Sequence, residues 1–135
     1  MEMDNPVFQL GQLMEEATRL PGVVGVAVAT PDGLVVGHRM KSGVEPQRVA
    51  AMAAAMLSLS KNVAMELQGG TFLRSMVEMS GAKLIVLSTG DRGAMAVLIT
   101  PEANLGLLFL RLESIAENVG ILLRGLAGPQ RIVQR

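Results

Sequence analysis

The sequence predicts an α+β fold in which a five-stranded antiparallel sheet lies between one long helix and a pair of helices. Apolar residues recur at spacings of three and four in three segments, which indicates helices. Five short apolar segments alternate with them, giving the order α-β-β-α-β-β-β-α. Short turns join consecutive strands, so the strands pair antiparallel. Because the middle strands are apolar on both sides, helices must cover both faces of the sheet.

The chain opens with a helix followed by a hairpin. Asn5 and Pro6 form a helix start, since asparagine caps the first amides and proline has no amide hydrogen to lose there. Pro21 ends this helix. Residues 23–29 are apolar throughout, as in a strand buried on both faces. A Pro-Asp-Gly turn then reverses the chain into a second strand over residues 34–39.

The longest helix is predicted over residues 45–69, with Pro46 in its first turn and Gly69 at its end. It carries two adjacent apolar stripes: Val49, Met52, Met56, Leu59, Val63 and Leu67 in the first, Ala50, Ala53, Leu57 and Ala64 in the second. Together they cover about half of the circumference, more than the ~100° that packing on one surface requires. We therefore expect this helix to cover its own sheet and also to contact a partner. A helix fully buried in a monomer is the alternative.

The third strand differs from its successors. Residues 71–79 mix charged and apolar side chains, which is typical of an edge or interface strand. Residues 83–89 and 94–100 each contain a continuous apolar run, at 84–87 and 94–99, and predict buried strands.

An apolar stripe from Leu105 to Leu126 predicts the final helix. Either Thr100-Pro101 or Asn104 could begin it. Gly125, Gly128 and Pro129 are expected to end it. The boundaries that follow are a single domain over residues 1–128 and a C-terminal tail over residues 129–135.

Composition excludes several kinds of function. Twelve basic and twelve acidic residues give no net charge, so an electrostatic footprint for nucleic acid is absent. The chain has no cysteine, and its single histidine, His38, lies at a predicted strand end with no nucleophile motif nearby. Neither phosphate-binding glycine motif occurs. We expect no enzyme activity, cofactor or metal, and, without a signal sequence or an apolar stretch of bilayer length, a cytoplasmic location.

Three sequence motifs resemble the roadblock/dynein light chain domain family. PGVVGVAVATPDGLVV is similar to its first hairpin, LSTGDRGAMAVLIT to a later strand-turn-strand, and EANLGLLFLRLESIAENV to the start of its last helix. The order and spacing of the motifs carry the match across residues 7–126. Since no further domain is visible, the chain is most similar to the free-standing prokaryotic members of the gliding-motility GTPase-activating partner type.

The resemblance implies protein binding rather than catalysis. Roadblock domains dimerise through their middle helices and third strands and bind or regulate small Ras-like GTPases. We expect a homodimer whose interface contains Val49, Met52, Ala53, Met56, Leu57, Leu59, Phe72, Leu73, Ser75 and Val77. Arg48, Arg74 and Arg92 are candidate GTPase contacts, although the family offers no fixed arginine-finger motif. The alternatives are an adaptor subunit that ignores nucleotide state and, as a third choice, a small-molecule sensor.

Overall fold

The computed structural model describes residues 5–41, 43–90 and 93–133, with residues 126–133 described by their backbone alone. In chain order the elements are α1 (Pro6–Thr18), β1 (Val23–Ala29), β2 (Val35–Met40), α2 (Pro46–Glu66), β3 (Arg74–Glu78), β4 (Lys83–Ser88), β5 (Ala94–Ile99) and α3 (Leu105–Val133). The predicted fold class is confirmed.

The five strands form one antiparallel sheet in the order β2-β1-β5-β4-β3. The buried strands β1 and β5 lie at its centre, and the more polar β2 and β3 form its two edges. The edge positions of β2 and β3 agree with the sequence pattern, because mainly apolar strands need cover on both faces and edge strands do not.

The helices divide between the two faces of the sheet. α1 and α3 cover one face, where the larger core lies; its fully buried side chains include Met95, Ile99, Leu108 and Leu112. α2 alone covers the other face and packs on small side chains such as Ala27, Ala94 and Ala96. The helix pair and the single helix expected from the sequence are therefore both present.

Side chains cap the helix starts as expected. The Asn5 side chain accepts a hydrogen bond from the Val7 amide at 2.8 Å. At the last helix the Asn104 carboxamide accepts from the Leu107 amide at 3.1 Å, so Asn104 rather than Thr100 begins α3. A capping carboxamide satisfies a backbone N–H that has no partner within the helix.

The predicted end of the last helix is wrong. α3 continues through Gly125, Gly128 and Pro129 to Val133. Glycine costs a helix about 1 kcal/mol and proline about 3 kcal/mol, penalties that weaken a helix without ending it by themselves. The domain boundary at residue 128 stays a prediction, although residues 129–133 belong to α3.

Gly120 determines how closely α3 approaches the end of β4. A Cβ atom placed on Gly120 would lie 1.9 Å from the carbonyl oxygen of Thr89, which is part of the backbone and cannot move aside easily. Gly125, one and a half turns further along the same helix, has no atom of the described part of the chain within 4 Å of the corresponding position. The two glycines therefore separate the effect of packing from that of helix propensity.

Gly120→Ala should lower the free energy of unfolding by about 1–3 kcal/mol, because the added methyl forces α3 away from the sheet. Gly125→Ala should raise it by about 0.5–1 kcal/mol, the ordinary gain of alanine over glycine inside a helix. Urea denaturation followed by circular dichroism measures both. Equal effects of the two substitutions would contradict the close packing of Gly120 against the backbone of Thr89.

Candidate interaction surface

α2 is covered along only half of its length. Its buried side chains, Val49, Ala50, Ala53 and Leu57, all belong to its first twelve residues. Within the fully described stretch 58–66 no side chain is buried. Apolar side chains nevertheless continue there, and Leu59 is 65% exposed. The second half of α2 thus presents apolar surface that the chain itself does not cover.

β3 leaves one backbone edge open. It pairs with β4 through residues 74–78, and no other described strand lies on its far side. Alternate side chains of a strand point to opposite faces. Ser75 faces α2 and forms a short hydrogen bond with the hydroxyl of Ser60. Leu73 and Val77 lie on the same face as Ser75 and are exposed, Leu73 by 68%.

The exposed apolar side of α2 adjoins β3, since Val63 and Leu67 line one cleft with Ser75 and since Ser60 is hydrogen-bonded to Ser75. On the helix the exposed apolar side chains recur at helical spacing on the side towards Ser60 and β3, and on the strand they share the α2 face. We call this the α2–β3 surface and define it as Met52, Leu59, Val63, Leu67, Leu73 and Val77. Single exposed apolar residues are ordinary, but a contiguous group marks an interaction site.

The predicted interface residues fall into three groups in the structure. Met52, Leu59, Leu73 and Val77 are exposed on the α2–β3 surface. Met56, Phe72 and Ser75 are half-buried at its margin. Val49, Ala53 and Leu57 are buried against the chain's own sheet, and their placement at an interface stays a prediction.

The spacing of apolar residues alone could not separate these three groups. Helical spacing shows that two apolar stripes exist, but it does not show which of them faces the chain's own sheet. Small residues such as Ala53 fit under the helix, where the sheet offers the small side chains of Ala27, Ala94 and Ala96 beside Val86. Val63 and Leu67 belong to the outward stripe and were missing from the predicted interface, although their spacing already indicated them.

The three candidate arginines also differ. Arg48 is exposed and, within the described residues, has neither an ion-pair nor a hydrogen-bond partner. Arg74 contacts two side chains of α3. Its guanidinium donates a hydrogen bond to the Glu113 carboxylate at 2.9 Å and lies 4.1 Å from the centre of the Phe109 ring. Arg92 lies outside the described residues. Arg74 is therefore engaged within its own chain, while 32% of its side chain is exposed.

The described residues show no constellation suited to chemistry. His38 is exposed on β2. No three His, Asp or Glu side chains in the described ranges come together in a group that could hold a metal ion. The cleft between α2 and β3 is open to solvent and is lined by Val63, Leu67, Phe72 and Ser75 among others. No helix within those ranges combines the length and the apolarity needed to cross a bilayer.

Comparison with known protein families identifies the family to which this chain belongs. The sequence profile described as "Roadblock/LC7 domain" matches residues 10–99, two thirds of the chain. The chain belongs to the Roadblock/LC7 family. The family assignment suggested by the sequence motifs is confirmed. No curated protein matches the chain significantly by sequence.

Solved structures agree on the fold. A Roadblock/LC7 domain from Streptomyces avermitilis has a TM-score of 0.77 and 24% identity, covering 84% of this chain and 96% of that one. The gliding protein MglB from Thermus thermophilus has a TM-score of 0.76 and 17% identity, covering 87% and 90%. A structure described as MglB with tetrameric arrangement has a TM-score of 0.77 and 18% identity, covering 87% and 89%. At these identities the likeness concerns the fold.

Two neighbouring leucines of α2 test the division between core and surface. Leu57→Ala should lower the free energy of unfolding by about 2–5 kcal/mol at every protein concentration, because it opens a cavity in the chain's own core. Leu59→Ala should change it little at low concentration, since this side chain is exposed in the single chain. Urea denaturation at two protein concentrations distinguishes them. A large, concentration-independent loss from Leu59→Ala would contradict the described orientation of α2.

Proposed function

We propose that the protein is a homodimeric, non-catalytic regulator that binds a small Ras-like GTPase in the cytoplasm. The observation that supports the dimer best is the α2–β3 surface, where an uncovered helix half adjoins an open strand edge. Each feature alone is common. Side by side, they offer a second chain both apolar side chains to bury and backbone groups to pair.

A second copy of the same chain fits this surface. The commonest oligomers are twofold dimers, in which the same patch of each chain meets its equivalent. An open β3 edge can pair with the β3 edge of the other copy, because unpaired N–H and C=O groups on one edge match those on the other. The exposed leucines and valines would then be buried against their counterparts. The existence of a structural neighbour described as a tetrameric arrangement supports self-association in this fold.

Membership of the Roadblock/LC7 family and the fold shared with MglB support a GTPase as the further partner. The chain itself offers no constellation for phosphoryl transfer among its described residues. Arg74 is already engaged by Glu113 and Phe109. We therefore propose that the dimer acts by surface complementarity, positioning groups of the GTPase rather than inserting an arginine. The second candidate is an adaptor that binds its partner whichever nucleotide is bound. Such an adaptor would likewise need no catalytic side chains.

Charges placed on the α2–β3 surface should separate the dimer. Leu59→Glu and Leu73→Lys each put a charge where a dry interface is proposed, at a cost of several kcal/mol per ion after relaxation. We expect the dissociation constant to rise by at least about 100-fold for each, as an energy of ~2.8 kcal/mol implies. Multi-angle light scattering over a range of concentrations gives the mass.

The matched control is Leu110→Lys, which places the same charge on a leucine that is 70% exposed but belongs to α3 on the opposite face. It should leave the dimer intact. A double variant, Leu59→Glu with Leu73→Lys, that still has the mass of two chains would refute the proposed interface. So would an unmodified protein that has the mass of one chain at every concentration.

GTPase binding should depend on the bound nucleotide. The probe is a small Ras-like GTPase encoded beside the gene for this chain, loaded either with a non-hydrolysable GTP analogue or with GDP. Tighter binding of the GTP form supports the regulator, equal binding of both forms supports the adaptor, and binding of neither removes the GTPase from the proposal. Fluorescence anisotropy measures the affinities.

Arg48→Ala tests how the GTPase would be affected. Since complementarity and not an inserted arginine is proposed, the substitution should change the rate of GTP hydrolysis in the complex by less than about tenfold. Loss of an arginine finger reduces that rate by about 10³- to 10⁵-fold. A loss of that size in a single-turnover assay would contradict the proposal. Lys61→Ala, on the same helix, is the control for loss of one exposed positive charge.

A further inference from the structure

Arg74 connects the edge strand β3 to α3 on the opposite face of the sheet from α2. Its guanidinium carbon lies 4.1 Å from the centre of the Phe109 ring, and its Nη1 donates to Glu113 Oε2 at 2.9 Å. Phe109 and Glu113 are four residues apart, so they lie above one another on one side of α3. Together they bind one guanidinium group, Phe109 through the face of its ring and Glu113 through its carboxylate.

The next residue of β3 is held from the other side. The Ser75 hydroxyl is hydrogen-bonded to Ser60 of α2. Successive side chains of a strand point to opposite faces, so Arg74 and Ser75 attach β3 to α3 and to α2 respectively. The strand is therefore clamped between the two helical layers at its first two residues. Its backbone hydrogen bonds to β4 hold it on one side alone.

These two attachments stabilise β3, the strand of the sheet that is expected to open most easily. β3 has only five residues, its outer edge is open, and Val77 and Glu78 at its far end are exposed. A short edge strand opens readily because few buried contacts hold it. Ordering such a strand at the moment of binding reduces affinity, whereas a strand already held in place binds without that cost.

We propose that Arg74 is a positioning residue that fixes the open edge of β3 in the conformation with which a second copy pairs. This inference rests on the proposed dimer. It assigns Arg74 a role inside its own chain, through Phe109 and Glu113 of α3, instead of a contact with a GTPase. Because α3 supplies both side chains that bind the guanidinium, any change that displaces Phe109 or Glu113 should also weaken self-association.

The decisive variant is Arg74→Met, which keeps a long side chain over Phe109 but removes the charge and the hydrogen bonds. We expect two effects. The dissociation constant of the dimer should rise by about tenfold, since an aligned ion pair and a cation–π contact are both lost. The amides of residues 74–78 should exchange hydrogen faster in the dissociated chain. Arg74→Lys, which retains the charge, should give smaller changes in both.

The control is Arg111→Met, the same substitution on α3 at an arginine whose nearest carboxylate oxygen, on Glu16, is 3.9 Å away. It should change the dissociation constant by less than about twofold. Charge reversal by Arg74→Glu with Glu113→Arg should recover part of the affinity lost in Arg74→Glu alone, because it rebuilds the ion pair without the ring contact. A purely local packing role would show no such recovery.

The outcomes separate the inference from the proposed function. An unmodified chain that never dimerises removes the dimer and the proposed role together, whatever exchange shows. If the unmodified chain dimerises and Arg74→Met leaves its dissociation constant unchanged, the inference is overturned and the dimer stands. The inference is overturned in the same way if β3 exchanges faster but affinity is kept. Faster exchange together with weaker dimerisation supports the proposal.

Discussion

A single helix is too narrow to cover one face of a five-stranded sheet. Strands about 4.8 Å apart place the outermost strands of such a sheet about 19 Å from each other. A helix with its side chains is about 10 Å across. α1 and α3 together span the first face, but α2 has the second face to itself. α2 lies over the central strands and leaves part of each edge strand uncovered on its side, with Val36 and His38 exposed on β2 and Leu73 and Val77 on β3.

The two edge strands, β2 and β3, differ in the features that discourage pairing with another strand. At β2 the side chain of Gln47 accepts a hydrogen bond from the Val35 amide and donates one to the Gly33 carbonyl. A register irregularity between Val28 and Ala29 distorts the pairing of β1 with β2. Polar side chains and irregular pairing discourage association at a sheet edge. β3 also carries charged side chains, Arg74 and Glu78, but it pairs with β4 in unbroken register, is flanked by the exposed apolar side chains of Leu73 and Val77, and is held in place by Arg74. The difference favours β3 as the edge that accepts another chain.

Much of this could be predicted from the sequence. The element order, the edge character of β3 and the wide apolar surface of α2 all follow from local patterns of apolar and polar residues, which depend on the chain alone. The orientation of α2 does not. Val49 and Met52 carry the same apolar signal, and whether either faces the sheet depends on the small residues of β1 and β5, which are distant in sequence. For the same reason local patterns made Arg74 only a candidate GTPase contact, since the two α3 residues that bind it, Phe109 and Glu113, are 35 and 39 residues away. The extent of α3 was missed because glycine and proline weaken a helix by amounts that the surrounding turns can offset.

The central claim is that the uncovered half of α2 and the open edge of β3 receive a second copy of this chain. Amide hydrogen exchange of the unmodified protein at two concentrations, one below and one above that at which its mass doubles, tests it most directly. The account predicts slower exchange at the higher concentration for residues 58–67 and 74–78. Residues 35–40 of β2, the other edge, should exchange at the same rate at both concentrations. Exchange in β3 that is independent of concentration, or protection that arises at β2 instead, would contradict the account.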